Sequence, residues 1–170
     1  MIQEIFSLIS FPGVVFHEFG HEIFCRISKV RVVKVCYFQF KNPPGYVIHN
    51  EPSKYYQAFF ISVGPFISGI IFSVIFFLLS KYFSNSNQLL ELLFIWLGGS
   101  IAMNCFPSTQ DAKVLFKETN KHILRNPLVI IGYPFVLIIF IFGLIQVFWI
   151  NLIYAFFLYL LSSFIYLNLK

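Results

Sequence analysis

His17, Glu18 and His21 stand in the order His-Glu-x-x-His, within the run His17-Glu18-Phe19-Gly20-His21. Residues four apart on a helix lie on one face about one turn apart, so both imidazoles can reach a single metal ion. A glutamate beside the first histidine can then address a water on that metal. Zinc takes such nitrogens at about 2.0–2.1 Å and, with three protein ligands, keeps a position open for water. The pKa of that water falls towards about 7, which makes hydroxide available at neutral pH. Glu18 would take the water's proton during attack and later hand it to the leaving amine. The chain has only 4 histidines and 7 acids, so shuffling would produce the pattern on the order of a few times in a thousand.

A hydrolytic site needs a third ligand, and the candidates outside this helix are Asp111, Glu51, His49, Glu118, His122 and Glu91. Asp111 is the only aspartate in the protein and follows an apolar helix that ends on the same side as the His17 helix. The competing account is that Ser108-Thr109-Gln110-Asp111 forms a capping box, with serine at the N-cap and aspartate at N3. Spacing alone leaves the two open. Cys25, one further turn along from His21, offers either a fourth ligand or a small buried hydrophobe.

These residues must be positioned by elements built for lipid. The 170 residues are 58% hydrophobic and 11% charged, against about 45–50% and about 25% in soluble domains. That composition excludes disorder, a coiled coil and a collagen-like rod. The net charge of +5 does not argue for nucleic acid, because no basic cluster with stacking aromatics lies outside the apolar runs. In a membrane chain Lys and Arg first report which loops stay in the cytoplasm. Cys25, Cys36 and Cys105 cannot all pair and none forms Cys-x-x-Cys, which is compatible with a reducing face.

The spacing predicts an all-α polytopic membrane protein of about five transmembrane helices with a small membrane-associated β-hairpin. The first helix covers about residues 2–28. Lacking a positive start and a small-residue cleavage site, it reads as retained rather than as a signal peptide. A β-hairpin over about 30–49 follows: Val32, Val33, Val35, Tyr37, Phe38 and Phe40 favour a strand, Asn42-Pro43-Pro44-Gly45 a turn, and Tyr46 to His49 the return strand. Helices over about 55–80 and 88–106 come next, the latter stopped by Pro107, and then a mixed, charged helix from Asp111 to Arg125. Residues 126–169 contain no Asp, Glu, Lys or Arg. As one helix they would span about 66 Å, too long for a single pass, so they divide near Trp149 to Asn151 into a two-helix hairpin. The chain thus reads as a core over 1–125 and a C-terminal transmembrane hairpin over 126–170.

With the N-terminus outside and this number of spans, only Lys81 of the 12 basic residues falls on the outer side, as the positive-inside rule asks. Counting back from Arg26 at about 1.5 Å per residue puts a metal on His17 and His21 roughly 8–14 Å below the cytoplasmic interface. Gly64, Pro65 and Gly69 in the next helix serve either to loosen it for water entry or to let helices approach closely. Glu22 and Arg26 form an i, i+4 pair of the favourable order.

The motifs together resemble the site-2 protease family of intramembrane zinc metalloproteases, over about residues 3–125. The family's core is three transmembrane helices. The first carries His-Glu-x-x-His, matched by His17 to His21; the second a Gly-Pro pair, matched by Gly64-Pro65; the third Asn-x-x-Pro-x-x-x-Asp-Gly, matched as far as the aspartate by Asn104, Pro107 and Asp111. The resemblance implies His17, His21 and Asp111 as ligands of about one zinc ion per chain, Glu18 as general base, and Asn104 as a hydrogen-bonding group for substrate or oxyanion. It implies an endopeptidase acting on peptide bonds in or beside transmembrane segments of other proteins, with the lipid bilayer as its solvent and a prokaryotic plasma membrane as its expected location. The hairpin has a family counterpart that enters the membrane near the active site, where an edge strand can hold substrate extended; a simple shielding role is the alternative. The length outside the core leaves no room for a PDZ-like or cystathionine-synthase-like segment.

Two positions depart from the family pattern. Gln110-Asp111-Ala112 replaces Leu-Asp-Gly, and alanine resists the positive φ that glycine tolerates; Ser68 replaces an asparagine common after the Gly-Pro pair. Two other functional readings stand beside the protease: a catalytically silent homologue that binds and regulates membrane proteins, and a small metal or ion transporter with the histidines on its path.

Overall fold

The computed structural model describes residues 8–123, 129–130, 132–144 and 148–169, and the expected helix start at 2–7, the 125/126 boundary and Lys170 lie outside them. The chain is mostly helical with one two-stranded antiparallel sheet. In chain order the elements are α1 (Phe11–Ile27), β1 (Val32–Cys36), β2 (Tyr46–His49), α2 (Tyr55–Phe83), α3 (Gln88–Asn104), α4 (Thr109–His122), α5 (Gly132–Leu144) and α6 (Phe148–Asn168).

Helix α1 opens with Pro12 in its first turn, where a missing N–H costs nothing. It closes in a Schellman turn: Lys29 N donates to Arg26 O at 3.0 Å and Val30 N to Cys25 O at 2.8 Å, with Lys29 at φ 57°. Cys25, Val30 and Ile61 bury together under that turn. The chain then runs back along α1 as the β-hairpin, with Lys34 opposite Ile48, Val35 opposite Val47 and Cys36 opposite Tyr46. Val32 pairs with His49, and the register shift between Val32 and Lys34 marks a bulge.

Helix α2 is inverted relative to a water-soluble helix. Ser62, Gly64, Pro65, Ser68, Gly69, Ser73 and Ser80 are buried, while Phe60, Ile71 and Ile75 are exposed. Small residues at helix contacts and large apolar ones outward is the arrangement that packs helices in lipid. Phe77 of α2 buries with Ala102 of α3 and Ala155 and Leu158 of α6. Ala112 and Leu115 of α4 bury against Val136 and Ile139 of α5.

By length and composition α2 and residues Ile150–Asn168 of α6 are long and apolar enough to cross a membrane. A third crossing is available if α3 and α4, bent by 42° at their break, count as one span. Helix α6 begins at Phe148, so Trp149 to Asn151, the expected dividing point, lie in its first turn. The preceding helix is described as far as Leu144, and residues 145–147 between the two lie outside the described set.

Candidate metal centre

His17 and His21 share one face of α1, their ring centroids 5.0 Å apart. Asp111 enters from the first turn of α4. His21 Nε2 lies 3.3 Å from Asp111 Oδ1, and His17 Nε2 lies 4.0 Å from Asp111 Oδ2. One ligand atom from each of the three falls within 4.8 Å of the other two. A tetrahedral site with bonds of about 2.0–2.1 Å has ligand edges of about 3.3–3.4 Å, which the His21–Asp111 separation matches and the His17–Asp111 separation exceeds.

The donor chemistry fits a metal as well as the spacing does. His17 Nδ1 lies 2.8 Å from the Asn104 carbonyl, and His21 Nδ1 lies 2.9 Å from the Ile61 carbonyl. A carbonyl only accepts, so each Nδ1 carries the hydrogen, and in the neutral ring each Nε2 presents a lone pair. Two such nitrogens and a carboxylate converge on one point, an arrangement that a cation satisfies. Backbone carbonyls that fix the ring and tautomer of metal-binding histidines are the usual outer shell of such a site.

The capping-box reading of Asp111 holds, and it leaves the carboxylate beside the two histidines. Its Oδ2 accepts from Ser108 N at 2.7 Å and Ser108 Oγ at 2.6 Å, and its own amide donates to Ser108 Oγ at 3.2 Å, closing a capping box. Oδ1 is left facing His21. Ala112 belongs to α4 and, among described non-glycine residues, only Lys29 has a positive φ. The expectation that alanine disturbs a left-handed turn here therefore fails, because the chain after Asp111 is helical.

Glu18 is buried, with the hairpin loop laid against it: a Cβ at Gly45 would stand 2.6 Å from Glu18 Cγ and 3.1 Å from Oε1. One turn on, Glu22 takes Arg26 Nε at 2.8 Å and Nη2 at 2.5 Å on one oxygen, and the Tyr37 hydroxyl of the hairpin donates to the other. Tyr37 also stacks edge-on with Phe19, and Phe38 lies near Phe11. The hairpin is thereby clamped along α1 beside the two histidines. The Glu22–Arg26 pair was legible in the sequence. Tyr37 and Gly45 carry no such signal, since aromatic strand propensity accounts for one and turn chemistry for the other.

Asn104 is brought to the site by its backbone. Its carbonyl orients His17, while its side-chain Nδ2 donates to the Ser100 carbonyl at 2.9 Å. The remaining ligand candidates lie elsewhere. Glu51 pairs with Lys117 and Lys121, Glu118 with Lys121 and His122, His49 contacts the Asn50 carbonyl, and Glu91 sits in the first turn of α3. Cys25 packs with Val30 and Ile61 as a small hydrophobe. Ser68 donates to the Gly64 carbonyl at 2.9 Å and faces Gly20. No protein-family model, curated protein or solved structure matches the chain.

Proposed function

We propose that the protein is a zinc-dependent intramembrane endopeptidase of the site-2 protease kind, cleaving peptide bonds in or beside transmembrane segments of substrate proteins. The observation that carries this reading is the convergence of His17 Nε2, His21 Nε2 and Asp111 on one point, with Glu18 adjacent on the same helix. When bound, zinc supplies a Lewis acid that activates water and polarises a carbonyl. Glu18 then accepts the proton of the attacking water and returns it to the leaving amine. His17 and His21 hold their ligand nitrogens through Nδ1–H donation, so the ligand geometry is set before substrate arrives.

The membrane part of the proposal is a chain of about five spans with its N-terminus outside and the metal centre near the cytoplasmic face. Its support is the inverted α2, the apolar α6, and basic residues gathered in the loops before α2 and along α4. A lipid-embedded site demands that Glu18 and the ligands face protein, and all of them do.

Purified protein should contain about one zinc per chain, lost on His21→Ala. Glu18→Gln should keep the metal and abolish cleavage of a reconstituted transmembrane substrate. Equal cleavage by wild type and Glu18→Gln would refute the peptidase assignment, and a wild type that binds no zinc would refute the metal centre.

A further inference from the structure

In a helix each carbonyl is taken by the amide four residues on. Proline has no N–H and its ring crowds the carbonyl four residues back, so that carbonyl loses its donor and tilts outward. Pro65 lies inside α2, and the carbonyl it releases belongs to Ile61. That residue is buried, so the carbonyl needs a partner from protein. The partner is His21 Nδ1, at 2.9 Å.

We propose that Pro65 is a positioning residue: by withholding an amide it frees the Ile61 carbonyl to hold His21 in the tautomer whose Nε2 faces Asp111. The approach of the two helices is built for this. A Cβ at Gly20 would stand 2.7 Å from Pro65 Cα and 3.0 Å from Pro65 N, so α1 and α2 meet backbone to backbone one residue before His21. His17 is served by a parallel device. The amide that would extend α3 onto the Asn104 carbonyl is that of Ser108, which instead donates to Asp111 Oδ2 at 2.7 Å. The Asn104 carbonyl is thereby left for His17 Nδ1. Both imidazoles are thus set by carbonyls that their own helices do not use.

The inference rests on the zinc reading for its affinity readout and on His21 alone for its tautomer. Pro65→Ala in the full chain, purified in detergent, restores the amide at 65. Alanine favours a helix interior over proline, so metal-free Pro65→Ala should melt at the same or a higher temperature. Its zinc affinity, by chelator competition, should nevertheless fall about 10–100-fold. Imidazole nitrogen chemical shifts of metal-free His21 should move from the Nδ1–H form in wild type to a mixture of tautomers. Pro65→Gly, which also restores the amide, should behave likewise if alanine proves too bulky, and Ser68→Ala, which trims the Gly20 contact but leaves position 65 intact, should change neither readout. Wild-type affinity with an unchanged tautomer in Pro65→Ala would overturn the inference, as would a loss of affinity that tracks a lower melting temperature. A wild-type chain that binds no zinc would overturn the metal reading instead, and the His21 tautomer would still decide the role of Pro65.

Discussion

Gly45 is required for space rather than for conformation. Among the described glycines none has a positive φ, so any residue tolerates its backbone. A Cβ there, however, would press on Glu18 Cγ at 2.6 Å and on the Tyr37 carbonyl at 3.0 Å. The loop backbone is therefore seated on the side chain that the proposed chemistry uses as base. Gly45→Ala must push either the hairpin or Glu18 aside, an overpacking that typically costs about 1–3 kcal/mol. None of the three ligands is touched, so zinc content should stay at the wild-type level while cleavage falls at least about tenfold, the equivalent of about 1.4 kcal/mol in the barrier. Metal analysis and a turnover assay on the same preparation check this, and full activity in the variant would show that the loop leaves Glu18 before catalysis at no cost.

At the scale of elements, the N-terminus of α4 holds one carboxylate that caps the helix and, in the proposed metal centre, also serves as a ligand. Sequence spacing made Asp111 equally a capping residue and a ligand, and could not choose because both readings need an acid at the same place. The structure sets Oδ2 on Ser108, with His17 Nε2 4.0 Å from it, and turns Oδ1 towards His21. Ser108→Ala should then cost about 1 kcal/mol of stability as a lost cap. It should also lower zinc affinity about 10-fold or more as a lost outer-shell contact, whereas Ser108→Thr, which keeps the hydroxyl, should restore both. A variant that loses stability but binds zinc normally would reduce Ser108 to a cap. The same contrast marks what the sequence could convey. Strand propensity and Pro-Pro-Gly located the hairpin, and the apolar runs located α2 and α3 to within a few residues. The clamp of Tyr37 on Glu22 was hidden, because 15 residues separate the partners and no periodicity links them. The carbonyls of Ile61 and Asn104 were hidden for a different reason: side-chain motifs do not report which backbone acceptors a proline or a helix end leaves unused.

At the scale of the whole molecule, burial is organised for a lipid surround. Serines at 62, 73 and 80 of α2 and Ser162 of α6 are more than nine-tenths buried, while Phe156, Phe157 and Phe164 of α6 are exposed. Water would reverse that choice, and lipid, as apolar as phenylalanine, does not. Helix α2 has 29 residues, about 43 Å at 1.5 Å per residue, against a hydrocarbon core of about 30 Å. It is therefore long enough to cross completely, and in the proposed topology its two ends face opposite compartments. Lys81, near the far end, is taken up by the ring and hydroxyl of Tyr159, its ammonium 3.8 Å from the ring centroid, while the basic loop before α2 stays exposed. In a variant whose Cys25, Cys36 and Cys105 are replaced by alanine, a single cysteine introduced by Ser86→Cys should react in intact cells with a membrane-impermeant maleimide. One introduced by Ser53→Cys should react only after permeabilisation, as should one introduced by Lys117→Cys on α4. Labelling of Ser53→Cys and Ser86→Cys from the same side would mean that α2 does not span, and the proposed depth of His17, His21 and Asp111 would fall with it. Labelling of Ser53→Cys from outside alone would invert the orientation and leave the metal centre on the outer face.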